Sequence, residues 1–143
     1  VYDKKLLNTF STVAKNLEME HVMVVHGDDG LDEISISGPT QISEYKNYKI
    51  EEYTISPQEF GITTSSFEEI SAQSSEQSLR MVQEAFSGEQ SAVQDMIALN
   101  AGAGLYIARK GDSIPDGVEL AFTLMNSGKA ADKLAAYVRV SNS

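Results

Sequence analysis

Val24-Val25-His26-Gly27-Asp28-Asp29-Gly30-Leu31-Asp32-Glu33 decides how this chain is read. An apolar run stops at Gly27, an acidic turn punctuated by glycine follows, and the turn closes on two adjacent carboxylates. Val22 to Val25 is unbroken apolar sequence, the pattern of a buried parallel strand. Acidic loops at the carboxyl end of a strand are common places for α/β proteins to hold a metal ion or a phosphorylated ligand. In a regular strand Asp32 and Glu33 would point to opposite faces. At a turn–strand junction they can serve two ions, or one ion directly and another through water. Mg²⁺ suits such a pair, because it keeps several waters and takes one or two carboxylates together with substrate phosphate. The competing explanation is a solvated acidic turn, the commoner fate of exposed carboxylates.

Outward from this stretch the pattern is α/β. Leu6, Leu7, Phe10, Val13, Ala14 and Leu17 recur at helical spacing and predict an amphipathic helix over residues 3–17. Ile34 and Ile36 alternate with Ser35 and Ser37, which predicts a half-buried strand with Ser35 outward. Thr40 to Tyr45 and Tyr48 to Ile55 flank Lys46-Asn47 as a hairpin, with a bulge near Glu51-Glu52. Ser56-Pro57-Gln58-Glu59 is a capping box with proline at the first helical position, stopped early at Phe60-Gly61. The polar stretch from Ile62 to Ser75 reads as a surface loop. Ser74 or Ser75 caps a helix through Phe86 ended by Gly88, and a longer helix runs from about Gln90 to Arg109, ended by Gly111. Ser113 caps the next, with Pro115 in its first turn, and Ser127-Gly128 precedes a last helix through about Val140. The expected fold is one α/β domain: four short strands in a mixed sheet with a helical C-terminal layer.

Composition narrows the function. The 143 residues carry 11 basic and 21 acidic side chains, a net charge of −10. Nucleic-acid binding needs a basic surface, so it is excluded as a partner class. With 41% hydrophobic residues the chain can form a core, and no run approaches the roughly 18 apolar residues of a membrane span. No charged-then-apolar signal segment opens the chain. There is no cysteine, which removes disulfides, thiolate metal sites and cysteine nucleophiles, and fits a cytoplasmic location. An acidic chain that holds an anionic ligand needs metal ions or N–H donors to offset its own field. This chain supplies carboxylates for metals and little else, and it begins at Val1 rather than Met. The expectation is a fragment of a longer chain.

Other candidates carry less. Asp28 and Asp29 do not make a calcium loop, since Gly30 stands where a ligand belongs; turn formation accounts for both. His26 and His21, at the two ends of one strand, lack a partner for nucleophilic catalysis and read as structural. Asn100-Ala101-Gly102-Ala103-Gly104 follows no strand, and helical periodicity runs through it via Ile97, Ala101, Leu105 and Ala108. Its small residues let a neighbouring element come close. Ser127-Gly128-Lys129 lacks the upstream glycine of a nucleotide-binding loop.

Several blocks together resemble the C-terminal part of the anthranilate phosphoribosyltransferase family. They are Val25-His26-Gly27, Gly30-Leu31-Asp32-Glu33, Ser37-Gly38-Pro39-Thr40, Glu52-Tyr53-Thr54, Pro57-Gln58-Glu59-Phe60-Gly61, Asn100-Ala101, Leu105-Tyr106 and Ser127-Gly128-Lys129-Ala130. Their order and spacing agree over nearly the whole chain. The resemblance implies transfer of a phosphoribosyl group from phosphoribosyl pyrophosphate to anthranilate in tryptophan biosynthesis, and an acidic pair, Asp32 and Glu33, that binds the accompanying Mg²⁺. It also implies a phosphoribosyltransferase/nucleoside phosphorylase-type α/β domain and a homodimer formed through an N-terminal helical domain. Neither the family's Gly-Thr-Gly-Gly-Asp run nor its Lys-His-Gly-Asn run occurs here, so only Asp32 and Glu33 carry over, and the chain alone is expected to be inactive. The rival expectations are a non-catalytic α/β binding or scaffold module and a nucleoside phosphorylase fragment.

Overall fold

Leu7, Ser11 and Ala14 lie on one side of helix α1 (Leu6–Asn16), and that side is buried. It packs on strands β1 (His21–Gly27) and β2 (Thr40–Lys46). The seam is not purely apolar. Ser11 and Ser43, both fully buried, share a hydroxyl–hydroxyl hydrogen bond of 2.7 Å, and Ser11 Oγ also reaches Leu7 O at 2.9 Å. Of the other predicted apolar positions, Leu6 is half-buried, while Phe10, Val13 and Leu17 face solvent, Phe10 at 51% and Leu17 at 69% exposure. The helical period was legible; the width of the buried stripe was not.

The computed structural model describes residues 1–142 and divides into two units, Val1–Ser66 and the chain from Phe67 onward. In the first, β1, β2 and β3 (Lys49–Ile55) form a sheet in that order, antiparallel throughout rather than mixed. Two residues, Asn47 and Tyr48, join β2 to β3, with φ of 51° and 64°. Positive φ at both central positions is the type I′ hairpin turn, whose twist matches that of the strands. The pairing then runs without interruption from Lys46↔Lys49 to Thr40↔Ile55, so the bulge expected near Glu51-Glu52 is absent. Ile50 therefore lies on the opposite face of the strand from Tyr53 and Ile55.

Val22 to Val25 is a strand, as expected, but it pairs antiparallel at the sheet edge and only Val24 is fully buried. Ile34 and Ile36 are buried at 3% and 0% exposure, yet they lie in irregular backbone rather than a strand. Ser35 is buried as well, against expectation, because the loop turns its hydroxyl inward to a hydrogen bond. Ile62, expected in a surface loop, is buried as well. The 3-10 turn Pro57–Phe60 explains how: Glu59 accepts from the Ser56 N–H at 2.7 Å, and Ile62 N–H returns to Pro57 O.

The second unit is helical: α2 (Phe67–Ile70), α3 (Ser75–Phe86), α4 (Ala92–Ile107), α5 (Ile114–Asn126) and α6 (Lys129–Ser141). Ser74, Ser91 and Ser113 cap α3, α4 and α5 by accepting backbone N–H bonds from Gln77, Gln94 and Asp116. Arg109, at φ 58°, follows the end of α4, so the helix stops before the expected Gly111. The buried face of α4 is Gln94, Asp95, Ala98, Leu99, Gly102 and Ala103, displaced from the Ile97–Ala101–Leu105 stripe that the sequence suggested. Gly102 sets that displacement. A Cβ there would meet the backbone N and Cα of Val118 at 2.6 and 2.7 Å, and one on Gly117 would meet Gly102 O at 2.1 Å. The two helices therefore cross backbone to backbone, as the small-residue reading anticipated.

Gly102→Ala is expected to cost the helical unit about 3 kcal/mol, because the obstructing atoms are main chain and cannot swing aside. Gly104→Ala, on the same helix with open space around it, is expected to be neutral or to stabilise by ~0.5–1 kcal/mol. Urea unfolding of both variants checks the pair; equal effects would disprove the backbone crossing.

Burial raises the pKa of Asp95. The folded state therefore holds this proton to higher pH than the unfolded state, and stability falls as pH rises through the window above the ordinary carboxylate value of 3.8. Asp95→Asn is expected to be more stable than the parent at neutral pH, with the difference shrinking as pH falls toward 4. Thermal unfolding across that range tests the sign.

Candidate metal-binding loop

Strands β1 and β2 are linked by residues 28–39, and the two ends of this loop meet. Gly27 stands opposite Thr40 in the ladder, and Asp28 N–H donates to Pro39 O at 2.9 Å. Within the loop, Gly27 N–H donates to Leu31 O at 2.8 Å and Gly30 N–H to Gly27 O at 2.9 Å, a tight reversal over the acidic turn. Asp29 accepts from Leu31 N–H at 3.1 Å and from the Ser35 hydroxyl. Ser35 N–H donates to Thr40 Oγ1 at 3.0 Å, while Ser35 Oγ accepts from Ser37 N–H at 2.9 Å. On the outer side, Gln41 Nε2 reaches both oxygens of Asp28 at 3.2 Å, and Thr54 holds Gln41 Oε1 at 3.0 Å. Both turn aspartates thus have structural work, as expected.

Asp32 and Glu33 form the tip of this pinned loop. Ile34 and Ile36 anchor its far side in the core, and Ser65 N–H donates to Ile36 O. The two carboxylates are exposed, and neither makes a hydrogen bond or ion pair among the described residues. No basic residue lies between Gly27 and Thr40, while four acidic ones do. The tip presents hard oxygen donors in a locally negative field. Among the described residues, no group of three or more His, Asp or Glu side chains could hold a metal ion. The donor set available at the tip is two carboxylates, which fits an ion that keeps most of its waters and leaves room for a phosphate. It does not fit zinc or calcium, which demand more protein ligands.

The sequence-stated histidines lie elsewhere. His26 Nδ1 is hydrogen-bonded to Val1 O at 2.9 Å, and His21 Nε2 pairs with Glu44 Oε1 at 2.7 Å. The Tyr53 hydroxyl donates to the other oxygen of Glu44 at 2.6 Å, so His21, Glu44 and Tyr53 tie three strands across one sheet face. Sequence reasoning had no signal for this cluster; the three residues come together only through register. Asn100 to Gly104 lies inside α4, where Asn100 Nδ2 donates to Met96 O at 3.0 Å, so it is no phosphate loop.

The sequence pattern described as "Glycosyl transferase family, a/b domain" matches residues 1–131. The chain belongs to this family. It is 42% identical over 138 residues to the anthranilate phosphoribosyltransferase of Halorhodospira halophila, covering 96% of this chain and 40% of that protein. The crystal structure of the Thermus thermophilus anthranilate phosphoribosyltransferase superposes with a TM-score of 0.90 at 28% identity, over the full chain and 42% of its own. The Saccharomyces cerevisiae enzyme in complex with PRPP and Mg shares the fold, with a TM-score of 0.83 at 21% identity over 94% of this chain and 39% of its own. The chain thus spans about two fifths of the length of these relatives. The anthranilate phosphoribosyltransferase resemblance is borne out among its relatives, and the α/β fold class by the superposition.

Because the tip carboxylates have no partner among the described residues, Asp32→Asn with Glu33→Gln is expected to change the stability of this chain by no more than ~0.5 kcal/mol. Ile36→Ala, four residues away in the same loop, is expected to cost ~2–5 kcal/mol. Urea denaturation of the two variants separates the exposed tip from its buried anchor.

Proposed function

We propose that this chain is the C-terminal part of an anthranilate phosphoribosyltransferase and contributes one end of its Mg²⁺ site. The observation that carries the reading is the Gly30-Leu31-Asp32-Glu33 tip: two exposed, unpartnered carboxylates on a hydrogen-bonded loop, in a chain of this family. The yeast relative binds PRPP and Mg, which supports both the substrate and the ion. One family pattern spans both structural units, which supports treating them as a single, incomplete α/β domain. The complete protein forms a homodimer through segments beyond this chain. A cysteine-free member of a biosynthetic family fits the cytoplasm.

Asp32 and Glu33 would hold the ion. When bound, Mg²⁺ offsets the charge that builds on pyrophosphate as it departs from the ribose carbon. The loop backbone is held by its own hydrogen bonds, so binding need order only the two side chains. Asp28 and Asp29 are occupied within the loop and stay out of coordination. No nucleophile from the protein is required, because the acceptor amine attacks the ribose carbon itself. Residues for the phosphates and for anthranilate are not contributed here, so the isolated chain is inactive.

In the full-length protein, Asp32→Asn and Glu33→Gln are each expected to slow transfer by about a hundredfold, equivalent to ~3 kcal/mol, and to raise the Mg²⁺ needed. Loss of anthranilate fluorescence over a Mg²⁺ titration measures both. Unchanged rate and metal dependence in the folded double variant would reduce the pair to a solvated turn, and turnover by the isolated chain would show the site to be misplaced.

A further inference from the structure

We infer that Asp29 is the positioning residue of the Asp32-Glu33 pair, holding both flanks of the metal-binding tip with one carboxylate. This rests on the reading of that pair as an Mg²⁺ site. Asp32 and Glu33 make no side-chain bonds of their own among the described residues, so the direction of their carboxylates is set by the backbone on either side. Leu31 is the residue before the pair, and Ser35 lies just beyond it. Asp29 Oδ1 accepts from Leu31 N–H at 3.1 Å, and Asp29 Oδ2 accepts from the Ser35 hydroxyl. The carboxylate therefore spans the tip from below, closing a ring that contains both proposed ligands.

Two further features support the assignment. Position 27 is glycine where Asp29 passes: a Cβ there would come within 2.5 Å of Asp29 Oδ1. Any larger residue would displace the carboxylate. Ser35 is also fixed from the strand side, since its N–H donates to Thr40 Oγ1 at the first residue of β2. Asp29 thereby couples the tip to the sheet. Asp29 is not itself a ligand, because its two oxygens are turned into the loop and the described residues contain no group of three metal-binding side chains. Supporting contacts of this kind tune a metal site through the ligands they orient.

A simple contribution of negative charge would act differently, and substitutions separate the two. Asp29→Ala removes both hydrogen bonds. Asp29→Asn removes the charge but keeps an oxygen for Leu31 N–H. Ser35→Ala removes one bond and leaves the charge. In the full-length protein with inorganic pyrophosphate, Mn²⁺ affinity is read by electron paramagnetic resonance, and Mg²⁺ dependence by steady-state rates. Asp29→Ala is expected to weaken Mn²⁺ binding about tenfold or more, Ser35→Ala and Asp29→Asn by smaller factors, as is usual for residues that orient metal ligands. In the present chain, hydrogen exchange at the Leu31 amide is expected to quicken in Asp29→Ala without any metal present. Unchanged Mn²⁺ affinity in both Asp29→Ala and Ser35→Ala, with Asp32→Asn still weakening it, would overturn the positioning role and leave the Mg²⁺ site standing. Equal losses in Asp29→Asn and Asp29→Ala with none in Ser35→Ala would assign the effect to charge and overturn it too. If Asp32→Asn and Glu33→Gln also leave affinity unchanged, the Mg²⁺ reading fails, and the role of Asp29 with it.

Discussion

The register of β2 is the constraint on which the first unit depends. This strand is paired on both sides and nearly buried along its length, so each of its residues is committed to a specific neighbour. Ser43 meets Ser11 of α1 on one face, while Glu44 meets His21 and Tyr53 on the other. Thr40 receives the Ser35 N–H, and Gln41 holds Asp28. A slip by one residue would reverse every one of these contacts, because strand side chains alternate with a period of two. The turn at Asn47-Tyr48 sets that register at one end, and the closure of Gly27 on Thr40 sets it at the other. A tyrosine at positive φ is a strained choice for such a turn. The ladder on either side holds it there.

This arrangement explains how an exposed pair of carboxylates can be well placed. Long loops are ordinarily mobile, and an acidic tip would be expected to wander. Here the loop returns to its starting point, buries two isoleucines and is crossed internally by the Asp29 carboxylate. Only the residues that would meet solvent or a ligand are left uncommitted. Order in the loop and freedom at the tip come from the same set of bonds.

The helical unit uses a different principle. Its main crossing depends on the absence of side chains at Gly102 and Gly117, which lets two backbones approach closely. Burial of Gln94 inside this unit is made tolerable by hydrogen bonds from its amide to Ala85 O and Asn126 Oδ1, both 3.0 Å. At the unit's other extreme, α6 buries no residue fully and leaves Tyr137 and Val140 largely exposed.

The sequence by itself determined five of the helices, the caps at Ser56, Ser74 and Ser113, the position of the hairpin, the acidic tip and the family; it missed α2, which lies inside the stretch read as a surface loop. Caps and periodicities act over three or four residues, so Ser56-Pro57-Gln58-Glu59 and Ser113 could be read directly. Asp32 and Glu33 could be singled out because adjacent carboxylates after a strand are a local pattern, and the blocks around them match a family in order and spacing. Tertiary structure alone decided the rest. That the sheet is antiparallel, that Val22 to Val25 lies at an edge and that Ile62 enters the core depend on pairings between distant residues. Ser35 turned inward because a buried hydroxyl with two partners in the loop, the Asp29 carboxylate and the Ser37 N–H, outweighs the alternation a strand would impose. Asp29 looked like an ordinary turn residue, and its bond to the Leu31 N–H is the local turn contact that reading implies; its grip on Ser35 exists only once the loop has closed, since a hydrogen bond between residues six apart leaves no trace in a linear pattern.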